Sequence, residues 1–206
     1  MPVSRRLLLF ALAAAGGLGH LGRASAEDNA AAGVIQRLYD ALLAVMKSGR
    51  QLAFAQRYDR LAPTIRTTFD LPLMSRLAVG PGWAKLSTDQ QQRISDAFGR
   101  YTIATYANRF DDFGGERFEV NPTPAPNPNG AIVQSDIVKS TGEKVAINYL
   151  MHKAPDGTWK AMDVYLSGSI SELASRRSEF AAVLQRDGAD GLVRLLESRA
   201  APQRSG

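Results

Sequence analysis

Histidine, carboxylate and tyrosine side chains are the groups that would carry catalysis in this chain, and they are thinly placed. The sequence has two histidines and no cysteine. The lack of cysteine removes disulfides, thiolate metal sites and a thiol nucleophile together. His20 lies within the N-terminal stretch read below as a removable leader, which leaves His152, beside Lys153 at the end of a predicted strand. No Ser-His-Asp set, H-E-x-x-H pair or phosphate loop occurs, so neither a metal nor a cofactor is expected. What remains is Asp163, set among apolar strand residues, with Tyr101 or Tyr149 as a phenolic companion. An acid and a phenol in one pocket equip a cofactor-free isomerase or hydratase, and that is the enzymatic alternative. The plainer reading of Asp163 is a buried carboxylate that needs a partner. Arg176 or Arg177, in the helix that follows, would supply one as an ion pair. Arg176-Arg177 otherwise reads as a solvated helix face.

The start of the chain is an address. Arg5 and Arg6 precede the apolar run Leu7 to Leu18, and Ala24-Ser25-Ala26 follows as an A-x-A cleavage site. This is a signal peptide over residues 1–26, with the mature chain beginning at Glu27. The run is shorter than the ~20 residues a spanning helix needs. Ser4-Arg5-Arg6 also resembles a twin-arginine signal. The full chain has 25 basic and 20 acidic residues. The leader holds three arginines and no acid, so the mature chain carries only +2. Nucleic acid is not indicated, because its binders concentrate basic charge on one face. Residues 27–206 fit one domain.

The first half reads helical. Val34, Ile35, Leu38, Leu42, Val45 and Met46 form one apolar stripe. Ser48-Gly49 breaks it, and an amphipathic piece follows from Gln51 to Leu61. Pro63 opens a short helix to about Phe69. Asp70 caps another from Leu71 to Val79, which Gly80-Pro81-Gly82 stops. Ser87 and Gln90 have capping-box spacing at the start of a helix running to about Phe110.

The period then changes to two. Arg117 to Asn121 reads as a short strand, and Pro122 to Asn129 as irregular. Ala131–Lys139, Glu143–Lys153 and Thr158–Ser167 read as successive strands joined by turns at Thr141-Gly142 and Pro155-Asp156-Gly157. Ser169 and Glu172 have capping-box spacing for a helix from Ser171 to Leu184, and a last helix covers Asp190 to Arg199. Helices, an antiparallel meander and helices again make an α+β fold. Val145, Ile147, Tyr149 and Met151 share one strand face. Ala131, Val133, Ser135 and Ile137 share another, and Val164, Leu166 and Met162 a third. Periodicity does not separate a filled core from a hollow one. Met74, Met151 and Met162 suit a site that adapts to variable chains. Trp83, just after the Gly-Pro-Gly turn, reads either as a gate at a cavity mouth or as a plain core anchor.

Phe69-Asp70 and Arg76-Leu77-Ala78-Val79-Gly80-Pro81-Gly82-Trp83 resemble a segment of the MlaC (toluene-tolerance) family of periplasmic lipid-binding proteins. Gln90 to Tyr106 resembles that family's central helix. Ile147-Asn148-Tyr149, Gly157-x-Trp159-Lys160 and Asp163-Val164 resemble its meander. Ile170-Ser171-Glu172-Leu173-Ala174 and Arg176-Arg177-Ser178-Glu179-Phe180 are most similar to the hopanoid-associated HpnM branch. Where the usual family junction reads G-V-S-L, this chain has Gly168-Ser169-Ile170-Ser171 and one residue more before Arg177. The resemblance implies an NTF2-like curved antiparallel sheet, wrapped by helices around an apolar cavity. It implies a periplasmic carrier of phospholipid or hopanoid. Its partners would be an inner-membrane ABC-type lipid transporter or export partner and an outer-membrane complex. The cavity lining it implies is Phe69, Met74, Trp83, Phe98, Tyr106, Phe110, Val133, Val145, Ile147, Tyr149, Met151 and Val164. An envelope adaptor that grips a protein partner is a further alternative.

Overall fold

The computed structural model describes the backbone of residues 21–202 and the side chains of residues 30–49 and 51–202. Of the expected leader, residues 1–20 lie outside the described residues. Helix α1 (Leu21–Ser48) buries the predicted stripe from Val34 to Met46 and adds Tyr39 to it. A short 3-10 turn follows at Gly49–Gln51. Helix α2 (Phe54–Thr68) runs unbroken through Pro63, where the sequence suggests two pieces. Pro63 has no N–H to give the Asp59 carbonyl. The buried stripe Arg57, Leu61, Ile65 and Thr68 spans it and holds the helix together. Buried Arg57 donates from Nε to the Ala107 carbonyl (2.9 Å) and from a terminal nitrogen to the Leu52 carbonyl (2.6 Å).

Helix α3 (Leu71–Val79) begins as expected, with Asp70 Oδ1 accepting from the Leu73 N–H at 3.1 Å. Helix α4 (Thr88–Arg109) has its full capping box: Ser87 Oγ accepts from Gln90 N–H, and Gln90 Oε1 accepts from Ser87 N–H.

The sheet is antiparallel throughout and comprises β1 (Arg117–Val120), β2 (Ala125–Asn127), β3 (Gly130–Val133), β4 (Ser135–Val138), β5 (Lys144–Lys153), β6 (Trp159–Leu166) and β7 (Ile170–Ser171). The predicted strand Ala131–Lys139 is divided, but β3 and β4 keep one register along the same edge of β5. The division lets each take a different outer neighbour, β2 for β3 and β1 for β4. The Pro-rich stretch contains a strand after all. β2 sits at a sheet edge, where Pro126 loses no ladder bond that another strand would need. Both predicted turns are present, with Gly142 at φ 88° and Gly157 at φ 81°.

One irregularity decides which side chains face inward. Leu150 pairs with Asp163, but Met151 pairs with Ala161, so Met162 is an extra residue in β6. The bulge reverses the alternation. Trp159 and Ala161 therefore join Val164 and Leu166 on the inner face, and Met162 leaves it. The helices cover that inner face as one continuous core. α4 is held by α2, α3 and α5 and stands off the sheet.

Helix α5 (Glu172–Arg199) begins two residues later than the Ser169 box predicts. Ser171 is its cap, with Oγ accepting from Ala174 N–H at 3.0 Å. Residues 167–169 are instead spent on the tight β6–β7 turn, in which Ser167 (φ 50°) and Gly168 (φ 78°) are left-handed. Gly188, at φ 67° and ψ −170°, bends α5 between the two predicted helical pieces.

Candidate functional site

Between α4 and the inner face of β5 and β6 lies a cavity of about 410 Å³. That is within the range of small-ligand pockets. α4 supplies Phe98, Tyr101, Thr102, Tyr106, Thr105 and Arg109, which are spaced to fall on one helix face. The sheet supplies Ile137, Ile147, Tyr149, Val164 and Leu166. Phe69, Met74, Phe110 and the first turns of α5, with Glu172, Leu173 and Arg176, complete the wall. Aromatic rings follow one another along the interior. Phe69 lies 5.5 Å from Tyr106, Tyr106 stacks on Phe110 at 5.7 Å, and Phe69 lies 6.3 Å from Tyr149.

The polar atoms on the cavity floor are occupied with one another. Tyr149 donates to the Tyr39 hydroxyl at 3.2 Å. Tyr39 and Ser135 hydroxyls lie 2.6 Å apart, and Ser135 donates to the Ile147 carbonyl. Because the chain ends at a carbonyl, its direction is fixed as Tyr149 to Tyr39 to Ser135. The protons of these three hydroxyls are therefore consumed internally. Burial, foremost, raises the phenol pKa of Tyr39, Tyr106 and Tyr149 above the ordinary 10. All three are neutral in the physiological range. Thr102 and Thr105 likewise donate to carbonyls of their own helix, Phe98 and Tyr101. The interior is thus lined with aromatic and aliphatic surface and offers little hydrogen bonding to a guest.

Charge is confined to the rim. Arg109 is exposed and has no carboxylate partner among the described residues. Glu172 and Arg176 are each about a quarter exposed, 3.4 Å apart, and the Arg176 guanidinium lies 5.5 Å over the Tyr101 ring. Glu172 is the sole acid among the described lining residues.

The chemical pairing of Asp163 is not the one expected. Its carboxylate accepts from Ser171 Oγ at 2.5 Å and from the Val164 and Leu173 N–H groups at 2.7 and 3.4 Å. It anchors the start of α5, and neither arginine meets it. The two arginines diverge by about 100° around the helix. Arg176 faces the cavity, while Arg177 donates to the Leu77 carbonyl at the end of α3 (3.3 Å). Asp163 is not among the cavity residues, so it does not meet Tyr149 or Tyr101 as an isomerase base would.

Of the twelve expected lining residues, Phe69, Met74, Phe98, Tyr106, Phe110, Ile147, Tyr149 and Val164 stand around this cavity. Val133 and Met151 are fully buried in the neighbouring core, and Val145 lies two residues before Ile147, paired with Ile137. Trp83 lies in a separate surface groove with Asp70 and His152. There His152 Nε2 is 3.0 Å from Asp70 Oδ2 but outside hydrogen-bond geometry. The sequence reading missed Thr102, Thr105 and Arg109, although the stripe that begins at Phe98 and Tyr101 leads directly to them. It also missed Leu173 and Glu172, which only the late start of α5 brings to the wall.

The MlaC protein family profile matches residues 36–198. The chain belongs to the MlaC family. No curated protein matches it significantly. Among solved structures, this MlaC-family chain is similar to the phospholipid-binding protein from Ralstonia solanacearum, determined in complex with a phospholipid at 1.53 Å. The two share 27% identity with a TM-score of 0.70, over 82% of this chain and 96% of that one.

Proposed function

We propose that the protein is a periplasmic lipid-binding carrier of NTF2-like build, which holds acyl chain in the α4–sheet cavity and passes lipid between inner- and outer-membrane partners. The observation that carries this reading is the cavity itself. It is walled by aromatic and aliphatic side chains, its floor hydroxyls are used up internally, and its charges stand at the rim. The Ralstonia protein's phospholipid complex supports the same cargo class here. A signal peptide over residues 1–26 would deliver residues 27–206 to the periplasm as one domain. Burying apolar chain is worth about 0.8 kcal/mol per CH₂, so a dozen methylenes come to roughly 10 kcal/mol. A cavity of this kind offsets what a lipid loses on leaving a bilayer, and no covalent chemistry is needed. The extra residue after Gly168 favours the hopanoid-associated branch, with hopanoid as the second cargo.

The test is lipid transfer between donor and acceptor vesicles separated by a protein-permeable membrane. The mature protein should raise the rate of fluorescent phospholipid transfer in proportion to its concentration. No acceleration, with hopanoid-containing donors equally unaffected, would sink the carrier reading.

A further inference from the structure

We infer that Arg109 and Arg176 form an oxyanion-binding rim that takes the acidic group of the cargo, a phosphate or a carboxylate, while the chain enters the cavity behind it. This rests on the lipid-binding reading above. Within the interior the hydroxyl protons of Tyr39, Tyr149, Ser135, Thr102 and Thr105 go to partners within the protein, and no cationic group stands there. The guanidinium groups of Arg109 and Arg176 are the cationic donors of the lining, and they lie where the last turn of α4 and the second turn of α5 meet the cavity. Arginine presents a planar fork of donors matched to phosphate and carboxylate oxygens, and such charge-assisted bonds are about twice as strong as neutral ones. Arg109 lacks a carboxylate partner among the described residues. Arg176 is only partly satisfied, since Glu172 holds it at 3.4 Å. The rim therefore carries two positive charges against one negative. Glu172 competes with an incoming anion for Arg176.

This sets opposite signs on two substitutions. Arg109→Gln should weaken an acidic amphiphile, and Glu172→Gln should strengthen it. A purely structural role for these residues would move both the same way. The experiment is calorimetric titration of the mature protein with three probes of equal chain length: dodecyl phosphate, dodecanoate and dodecanol. The rim predicts that dodecyl phosphate binds about tenfold more tightly than dodecanol. Arg109→Gln should remove most of that margin, Glu172→Gln should widen it, and raised salt should narrow it, because the rim is exposed. A gain shared by dodecanoate assigns the rim to any terminal oxyanion; a gain for dodecyl phosphate alone assigns it to phosphate. Equal binding of all three probes by the unsubstituted protein overturns the proposal while leaving the apolar cavity intact. Binding of none of them removes the lipid-binding reading, and the rim with it.

Discussion

Tyr149 is where the architecture and the chemistry of the cavity meet. Its ring lies in the wall, and its hydroxyl donates to Tyr39, which in turn meets Ser135. Tyr149→Phe should cost about 1–3 kcal/mol, because it removes the donor to the buried Tyr39 hydroxyl; urea unfolding would measure it. The pH dependence has a definite sign. Burial raises the folded-state phenol pKa of Tyr39, Tyr106 and Tyr149 above the ordinary value. Their contribution is therefore complete below about pH 10 and is lost above it, as the unfolded chain releases protons that the folded chain retains. Tyrosinate absorbance should lag behind that of a free phenol until the protein unfolds, and Tyr149→Phe should flatten the alkaline loss of stability. If these tyrosines ionise at pH 10 in the folded protein, the buried hydroxyl chain is wrong. Asp163 belongs to the same scale. Asp163→Ala should cost about 2 kcal/mol through the lost anchorage of α5. Substituting Arg177 should leave that anchorage unchanged.

Among the elements, α4 was the most legible in the sequence. Ser87 and Gln90 mark its start, and one side-chain stripe runs from Phe98 to Arg109. Thr105 is legible on that face although not as a lining residue, while Thr102 and Arg109 are hidden because they are not apolar. The start of α5 was misread for a different reason. Ser169 and Ser171 both offer an N-cap hydroxyl, and the choice between them falls to the β6–β7 turn and to Asp163, which local spacing does not contain. The Met162 bulge left no signal at all, since Met fits either face of a strand. It is known only from where β5 pairs. Gly188 can be tested alone. A Cβ there would meet nothing within 4 Å. Gly188→Ala should therefore cost nothing from clash and about 1–3 kcal/mol from strain, because φ 67° with ψ −170° is a backbone region essentially confined to glycine. A stabilising effect in thermal unfolding would mean that α5 is straight.

At the scale of the whole molecule, α4 is braced away from the sheet by α2, α3 and α5, and the space so held is the cavity. Ion pairs of Arg93 with Asp190 and Arg100 with Glu197 join α4 to the far part of α5, but they are exposed and contribute little. The brace is mainly the shared core. Filling the space should therefore separate binding from folding. Thr105→Trp and Leu166→Trp each place a large ring in the wall from a partly buried position. The folded state should persist by circular dichroism, while lipid uptake falls at least severalfold. The measurement that bears most directly on the account is the native mass of the purified mature protein, taken beside Thr105→Trp and followed by solvent extraction. A lipid-sized mass on the unsubstituted protein, extractable and absent from the filled variant, is the result expected. A protein that carries no lipid after exposure to vesicles, or carries it equally when the cavity is filled, would contradict it.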